Sequence, residues 1–559
     1  MLSVLTANLF IILVVCFFVF EVIGYRSILS YKSQQRLFIS SALFSTTPQN
    51  ICDYVIAVKN KKISPRELVD SALAGIGAVD KDIQGFLSIM GEEATSQANL
   101  LESKLSGKVS SEFHDLSLLG IPIAVKDNIC VEGGRATCAS KILENYIPSY
   151  DATAVCKLKQ AGAIIVGKTN MDEFAMGSTT ENSGFQDTRN PWSLAHSPGG
   201  SSGGSAAVVA SGQVMASLGS DTGGSVRQPA AWCGVVGLKP TYGRVSRNGL
   251  VAYASSTDCI GPIGRNVKDV ALLTSVLSGG DVKDPTSQCR PALELDDMLS
   301  ACSDTALSAD KPLKGVRVGV ISETMMSTTA GGRTTETVSS SVSEAVTALK
   351  ELGATISEVS FPLLKQQCAA YYVYVLSEAS ANLARFDGVR YGNRVPGCES
   401  TRQAMTRTRE EGFGPEVRER IILGTFSLSS GYQDAYYGKA VAMVRQLSHS
   451  LDTQLGGGEG LVDMLLCPTA PCTAYRLGDK AKQGVEGYAD DLFTVPASLA
   501  GLPALSLPCG LSEDGLPIGF QLIGPKWSEA TLFRAAYAYE QKTEKEAWRH
   551  QKPAIFHQV

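Results

Sequence analysis

Short apolar runs of strand length alternate with helical stretches along most of the chain. Gly120 to Val125, Ala163 to Val166, Val214 to Gly219, Arg317 to Ile321, Met464 to Cys467, Leu505 to Pro508 and Ile518 to Ile523 are too short for helices and read as strands. Helical signals lie between them. Ser64-Pro65-Arg66-Glu67 is a capping box with proline at the first helical position, and Ile63 is placed to staple onto Leu68, which predicts a helix to about Gly75. Val155 to Gln160 is helical in pattern. Ser205 to Ser211, rich in Ala and Val, predicts a helix packed closely on a sheet. Ser322 to Ser341, rich in Ser and Thr, reads as a surface loop leading to a helix through Leu352. Ser528 is placed to cap a C-terminal helix with Leu532, Ala535, Ala536 and Tyr539 on one face. Strands alternating with helices predict a layered α/β domain. There is no internal repeat.

The pattern changes at the N-terminus. Leu9 to Phe20 is an unbroken apolar run, too short for a comfortable membrane span and about right for a signal-peptide core, although no basic residue precedes it. Val22 to Cys52 contains no acidic residue, and Arg26, Lys32 and Arg36 are spaced through it, which is transit-peptide composition. Residues 1–52 are therefore read as a targeting segment, signal followed by transit peptide. The expected address is a plastid bounded by extra membranes, with the mitochondrion as the alternative and no membrane attachment in the mature form. The expected domain spans 53–545, with a tail at 546–559.

Composition narrows the function. The chain has 559 residues, 44% of them hydrophobic, and a net charge of −5. Length alone suggests several domains, but no Pro/Gly/Ser-rich linker divides the chain. The acidic balance argues against a surface that holds tRNA by its own phosphate contacts. The 14 cysteines are scattered, with no C-x-x-C and no Cys/His cluster at zinc spacing, so free thiols in a reducing compartment and no metal are expected.

The chemistry concentrates in Ser197 to Pro229. Gly199-Gly200-Ser201-Ser202-Gly203-Gly204 and Gly223-Gly224-Ser225 flank a small-residue apolar segment. Glycine lets a backbone approach a small molecule, so a hydroxyl between glycines, with free N–H groups beside it, has the parts of a serine nucleophile and an oxyanion hole. Lys126, in Gly120-Ile-Pro-Ile-Ala-Val-Lys126-Asp127-Asn128, is a third part. Two other motifs are decoys. Gly162-Ala-Ile-Ile-Val-Gly167-Lys168-Thr169 spells a P-loop, but its variable positions form an apolar strand rather than a phosphate cradle. Gly200-Ser-Ser202-Gly-Gly204 spells a nucleophile elbow, yet Pro191 and Pro198 make a preceding strand unfavourable. The five histidines (His114, His196, His449, His550 and His557) include no convincing partner for a Ser-His-Asp triad.

Two serines 24 positions apart with an upstream Val-Lys-Asp-Asn resemble the amidase signature family, from about Ile51 to about Glu540. Gly219-Ser-Asp-Thr-Gly-Gly-Ser225-Val-Arg-Gln-Pro and Gly237-Leu-Lys-Pro-Thr-Tyr-Gly-Arg-Val-Ser resemble one branch, the glutamine-hydrolysing subunits of tRNA-dependent amidotransferases. The resemblance implies one large layered α/β/α domain around a mixed β-sheet. It implies Ser225 as nucleophile, Ser201 as proton relay and Lys126 as base, with backbone N–H groups of Thr222, Gly223, Gly224 and Ser225 as oxyanion hole. In the family the peptide bond into Ser201 is cis. An ordinary lysine is charged at neutral pH, but burial among Ile123 and Val125 disfavours the ammonium. For L-glutamine, which needs one cation and one anion at fixed separation, Arg420 is implied for the carboxylate, Asp491 for the ammonium and Tyr371 for the pocket wall. Arg418 and Asp490 are close competitors. Met171 to Ser178 resembles the substrate-facing segment. The resemblance also implies no cofactor in this chain, a B-type partner subunit that uses ATP and Mg²⁺ and carries the tRNA, and a small C-type subunit. The alternatives are a stand-alone amidase for another carboxamide and an idle scaffold, the latter disfavoured because the whole Ser-Ser-Lys unit is present.

Overall fold

The computed structural model describes residues 50–106, 116–288, 295–303, 307, 310–326, 334–362, 364–455, 461–480 and 490–557. The targeting segment thus lies outside the described residues except for its last three positions. Those three belong to the fold. Asn50 caps the helix Ile51–Lys59 in a reciprocal box with Asp53, Ile51 is fully buried, and its N–H donates to Asp269 Oδ1 at 2.7 Å. Residues 50–52, placed in the targeting segment by the sequence, therefore belong to the described fold, ahead of the expected start at Asp53. At the other end, the expected tail folds back: Ile555 packs with Val79, Ile83 and Ala207, and its N–H donates to the Pro191 carbonyl at 3.2 Å.

Among the described residues, eleven strands form one mixed sheet: β1 Phe86–Ile89, β2 Pro122–Lys126, β3 Ile164–Thr169, β4 Ala216–Asp221, β5 Val236–Lys239, β6 Cys259–Gly264, β7 Arg317–Ile321, β8 Thr355–Val359, β9 Met464–Pro468, β10 Ala504–Leu511 and β11 Pro517–Ile523. Their spatial order is β1-β3-β2-β4-β6-β5-β10-β11-β9-β7-β8. Two parallel patches, β3-β2-β4 and β9-β7-β8, flank an antiparallel middle. A single sheet of this width makes the expected layered α/β domain one unit, against what length alone suggests. Each strand predicted from an apolar run is present within a few residues. β5 and β6 were hidden by their Gly and Pro content, and β8 by its exposed polar edge.

The helices follow the predicted signals with extensions. Ser64 Oγ accepts the Glu67 N–H, and the Glu67 carboxylate accepts the Ser64 N–H at 2.8 Å. That helix runs from Pro65 to Ile83, beyond Gly75, because Ala72, Ile76, Val79 and Ile83 keep one face buried. Within the expected Ser322–Ser341 loop, Ser322–Met325 is a short helix and Glu336 begins the next one. Residues 327–333 lie outside the described residues. The helix Gly203–Ala210 is buried along nearly its whole length, as its small residues require.

β2 is apolar up to Lys126 because it is buried on both faces between two parallel neighbours. Since β2 and β4 are parallel, their carboxyl ends emerge side by side. That edge is where α/β sheets place ligands, and it delivers Lys126 next to Ser220 and the loop that follows Asp221. Every cysteine among the described residues is unpaired, and no helix among them is long and apolar enough to cross a membrane.

Candidate active site

Lys126 is fully buried at the end of β2. Its Nζ lies 2.7 Å from Ser201 Oγ, 2.8 Å from Ser202 Oγ, 3.0 Å from Ser220 Oγ and 3.3 Å from the Ser220 carbonyl. Burial pulls the lysine down to about 7, opposed by the carboxylates of Asp172, Asp221 and Asp258. A neutral amine at that position has a lone pair to offer. The partners of the two adjacent serines separate them. Ser202 Oγ donates to the Ser220 carbonyl at 3.1 Å and accepts the Ser220 N–H at 3.3 Å. Ser201 Oγ has Lys126 as its one hydrogen-bond partner among the described residues, so it remains able to pass a proton. The Gly200–Ser201 peptide bond is cis.

Ser225 follows β4 in a short loop and is the one partly exposed residue in an otherwise buried run from Gln213 to Cys233. Its carbonyl accepts the Ser202 N–H at 3.1 Å, which ties the two serine loops together. Asp221 and Arg227 bracket the loop as a buried pair at 3.0 Å. Burial pushes the Asp221 carboxyl up, but Arg227 beside it prevails and holds it below the usual carboxylate range.

The predicted oxyanion hole needs one correction. The Gly224 N–H donates to Asp221 Oδ1 at 2.8 Å, and the carbonyl of the same peptide, that of Gly223, accepts Thr494 Oγ1 at 2.5 Å. This peptide is pinned with its N–H turned to Asp221. The N–H groups of Gly223 and Ser225, on the flanking peptides, make no hydrogen bond among the described residues. Thr222 is anchored through its side chain, which donates to Asp258 Oδ1 at 2.7 Å. Gly223 is required for space: a Cβ there would run into Tyr371 Oη. Tyr371 is therefore packed directly on the loop beside Ser225.

The substrate-end residues also converge. Arg420 is buried on the helix Pro415–Leu428, whereas Arg418 is exposed. Arg420 donates to Glu416 at 2.7 Å, to Tyr253 Oη at 2.9 Å and to the Gly177 carbonyl at 2.8 Å. Asp491 Oδ2 accepts Tyr372 Oη at 2.5 Å, and the Arg420 guanidinium lies 5.9 Å from the Tyr372 ring. Tyr372 thus stands between the predicted cation and anion. Asp490 is used otherwise: it pairs with Lys480 at 3.0 Å and accepts Tyr475 Oη at 2.9 Å. Thr494 Oγ1 also lies 3.2 Å from the Asp491 carbonyl, so one hydroxyl touches both the serine loop and the Asp491 turn.

Sequence reasoning missed Ser202, Ser220, Tyr372, Thr494 and the Asp221–Arg227 pair. Ser220 and Asp221 lie in the Gly219-Ser-Asp run, so only their roles were unread; Tyr372 and Thr494 carry no local signal. Both decoys fail. The P-loop lookalike is β3, with Lys168 buried on the Arg135 carbonyl at 2.9 Å and Asp127 at 3.5 Å. His196 Nδ1 lies 2.8 Å from Ser193 Oγ, a local loop contact. No three His, Cys, Asp or Glu side chains among the described residues are grouped to hold a metal ion. A separate cleft of about 580 Å³, lined in part by Tyr146, Leu250, Arg390 and Tyr391, contains none of the site residues.

Comparison with known proteins gives the family and the fold. The amidase family model matches residues 67–533. The glutamyl-tRNA(Gln) amidotransferase A subunit from Picosynechococcus sp. is 48% identical over 497 residues, 89% of this chain and 97% of that one. The protein of the same name from a Geobacillus sp. is 49% identical over 499 residues, with the same coverage. Among solved structures, the Thermotoga maritima protein of that name has a TM-score of 0.69 at 40% identity, covering 88% of this chain and 94% of that one. A peptide amidase from Stenotrophomonas maltophilia has a TM-score of 0.74 at 27% identity, covering 91% and 99%.

Proposed function

The chain belongs to the amidase family, and from that premise we propose that it is the glutamine-hydrolysing component of a glutamyl-tRNA(Gln) amidotransferase. The observation that carries the chemistry is the 2.7 Å contact between buried Lys126 and Ser201, next to a loop that presents Ser225. Ser225 Oγ attacks the side-chain amide carbon of glutamine. Its proton passes through Ser201 to Lys126. The N–H groups of Thr222, Gly223 and Ser225 meet the developing oxyanion. When the C–N bond breaks, the proton held by Lys126 returns through Ser201 to the leaving nitrogen, and neutral ammonia departs. Water then cleaves the γ-glutamyl ester to glutamate, and the lysine is again unprotonated. Each step needs a lysine able to lose its proton near neutrality, which burial provides.

The substrate reading rests on Arg420 and Asp491 on either side of Tyr372, with Tyr371 against Gly223. Glutamine carries opposite charges at one end, and this pair offers one partner to each. The partner reading rests on the relatives, which are named as subunits. A B-type subunit that uses ATP and Mg²⁺ and carries the tRNA consumes the ammonia, and a small C-type subunit clamps this chain to it. The address stays with residues 1–52: a plastid, with the mitochondrion second. A fusion of those residues to a fluorescent protein tests it, and plasma-membrane retention would rule it out.

The deciding experiment is labelling of the coexpressed complex with a glutamine-like electrophile, followed by mass spectrometry. The label is expected on Ser225. A label on Ser201 or Ser202 would overturn the roles assigned here. The stand-alone amidase remains the second reading, since the peptide amidase superimposes with a TM-score of 0.74. Coelution with a B-type partner and a preference for glutamine over simple amides separate the two.

A further inference from the structure

We propose that Asp172 is a positioning residue of the amide-cleaving unit: it braces the turn before Ser201 and, of the buried carboxylates whose charge acts on Lys126, is the one with an oxygen that has no hydrogen-bond partner among the described residues. The inference rests on the Ser-Ser-Lys reading above. Asp172 is fully buried in the segment between β3 and the serine loop. Its Oδ1 accepts the Asn182 N–H at 3.2 Å. Its Oδ2 has no hydrogen-bond partner among the described residues. That oxygen fills the space where two glycines have no side chain: a Cβ at Gly177 or at Gly200 would run into it. Gly200 directly precedes Ser201, whose Oγ sits on Lys126 Nζ. The carboxylate therefore packs on the backbone that aims the relay serine.

Three buried carboxylates act on Lys126, together with the Cys138 thiol. Asp221 has both oxygens occupied, by the N–H groups of Gly224 and Val226 and by Arg227. Asp258 has both occupied by Thr222 Oγ1 and the N–H groups of Tyr253 and Ala254. Among the described residues, Asp172 alone of the three keeps an oxygen without a hydrogen-bond partner. The cations that act on it are Lys126 and Lys480, and Lys480 is already paired with Asp490. Burial pushes Asp172 up to about 6, against the backbone of Thr180 and Asn182, and pulls Lys126 down to about 7. The sign is definite. An ionised Asp172 favours the ammonium, so its removal must lower the pH at which Lys126 becomes a base.

The test is the rate at which a small uncharged fluorophosphonate labels Ser225, measured against pH in the full chain coexpressed with its partner. This readout involves no glutamine contact. Wild type should show an acid limb, and Asp172→Asn should move that limb down by about one pH unit. A folded Asp172→Asn with a uniform loss at every pH and an unmoved limb would overturn the proposal. A second variant guards against misfolding. The atoms nearest the missing Gly177 Cβ all belong to Asp172, so Asp172→Ala combined with Gly177→Ala refills the vacated space without charge and should shift the limb the same way. Collapse of both variants would make Asp172 a packing residue and sink the proposal. A wild-type chain that takes no label on Ser225 would overturn this proposal and the reading beneath it together.

Discussion

Lys126, Ser201 and Ser225 come from the ends of two parallel strands and the glycine loops beside them, all within residues 126–225. Tyr371, Arg420 and Asp491 come from two helices and a turn, brought together from residues 371–491. The first group is held by hydroxyls and backbone around a single buried amine. The second is held by charged or phenolic partners: Glu416 for Arg420 and Tyr372 for Asp491. The difference separates two jobs. On the roles proposed above, bond cleavage belongs to the sheet edge, where Lys126 and Ser201 are fully buried and β2 is held by the neighbouring β4. Substrate selection, on the same proposal, belongs to helices and a turn whose polar contacts lie outside the sheet.

The strongest way to break this division is at the sheet edge. Ser225→Ala should abolish the covalent adduct in mass spectrometry. Ser201→Ala and Lys126→Ala should each slow acylation by about 10²–10⁴-fold while leaving the nucleophile present, and the double variant should cost far less than the product of the two. Additive losses would show that the two residues do not share one relay.

At the helical end, Arg420→Ala or Asp491→Ala should cost about 2–5 kcal/mol in kcat/KM for glutamine, with turnover of a simple amide nearly intact. Equal losses on both substrates would erase the division.

Gly223→Ala probes the seam between the regions, because the new methyl would strike Tyr371 Oη. Differential scanning should show a loss of about 1–3 kcal/mol, and activity on glutamine and on simple amides should fall together.

The smallest effect comes from pH. Below about 7, kcat/KM should fall roughly tenfold per pH unit as Lys126 gains its proton. The same group leaves a trace in stability. Its folded value lies below the ordinary lysine value of 10.5, so the unfolded chain binds more protons between about 7 and 10.5, and this group's contribution to stability rises with pH across that window. A flat stability profile there in wild type relative to Lys126→Met would contradict the assignment.

The sheet-edge half was the more legible half. An apolar run ending on Lys126 and two serines walled by glycine are local signals, and parallel strands put them together. Gly224 was misread because the direction of its N–H depends on Thr494, far along the chain. Arg420 and Arg418 could not be separated by hydropathy: the buried face of their helix is Val417, Arg420, Gly424 and Ser427, which has helical spacing but mixed polarity. Asp490 and Asp491 are adjacent, and their partners tell them apart: Lys480 and Tyr475 for Asp490, Tyr372 for Asp491. Residues 50–52 were not read as part of the fold because the capping box there uses Asn and Asp in place of Ser and Glu.

The doubly held peptide between Gly223 and Gly224 has a further consequence. Two adjacent glycines are the most floppy joint a chain can have, and ordering a residue's backbone costs on the order of 1–2 kcal/mol. Asp221 grips one end of that peptide and Thr494 the other, so the joint is frozen as the chain folds. No catalytic cycle then has to reorient the dipoles on either side of it. A loop built on two adjacent glycines is thereby held in one conformation, as a fixed electrostatic template for the proposed oxyanion requires.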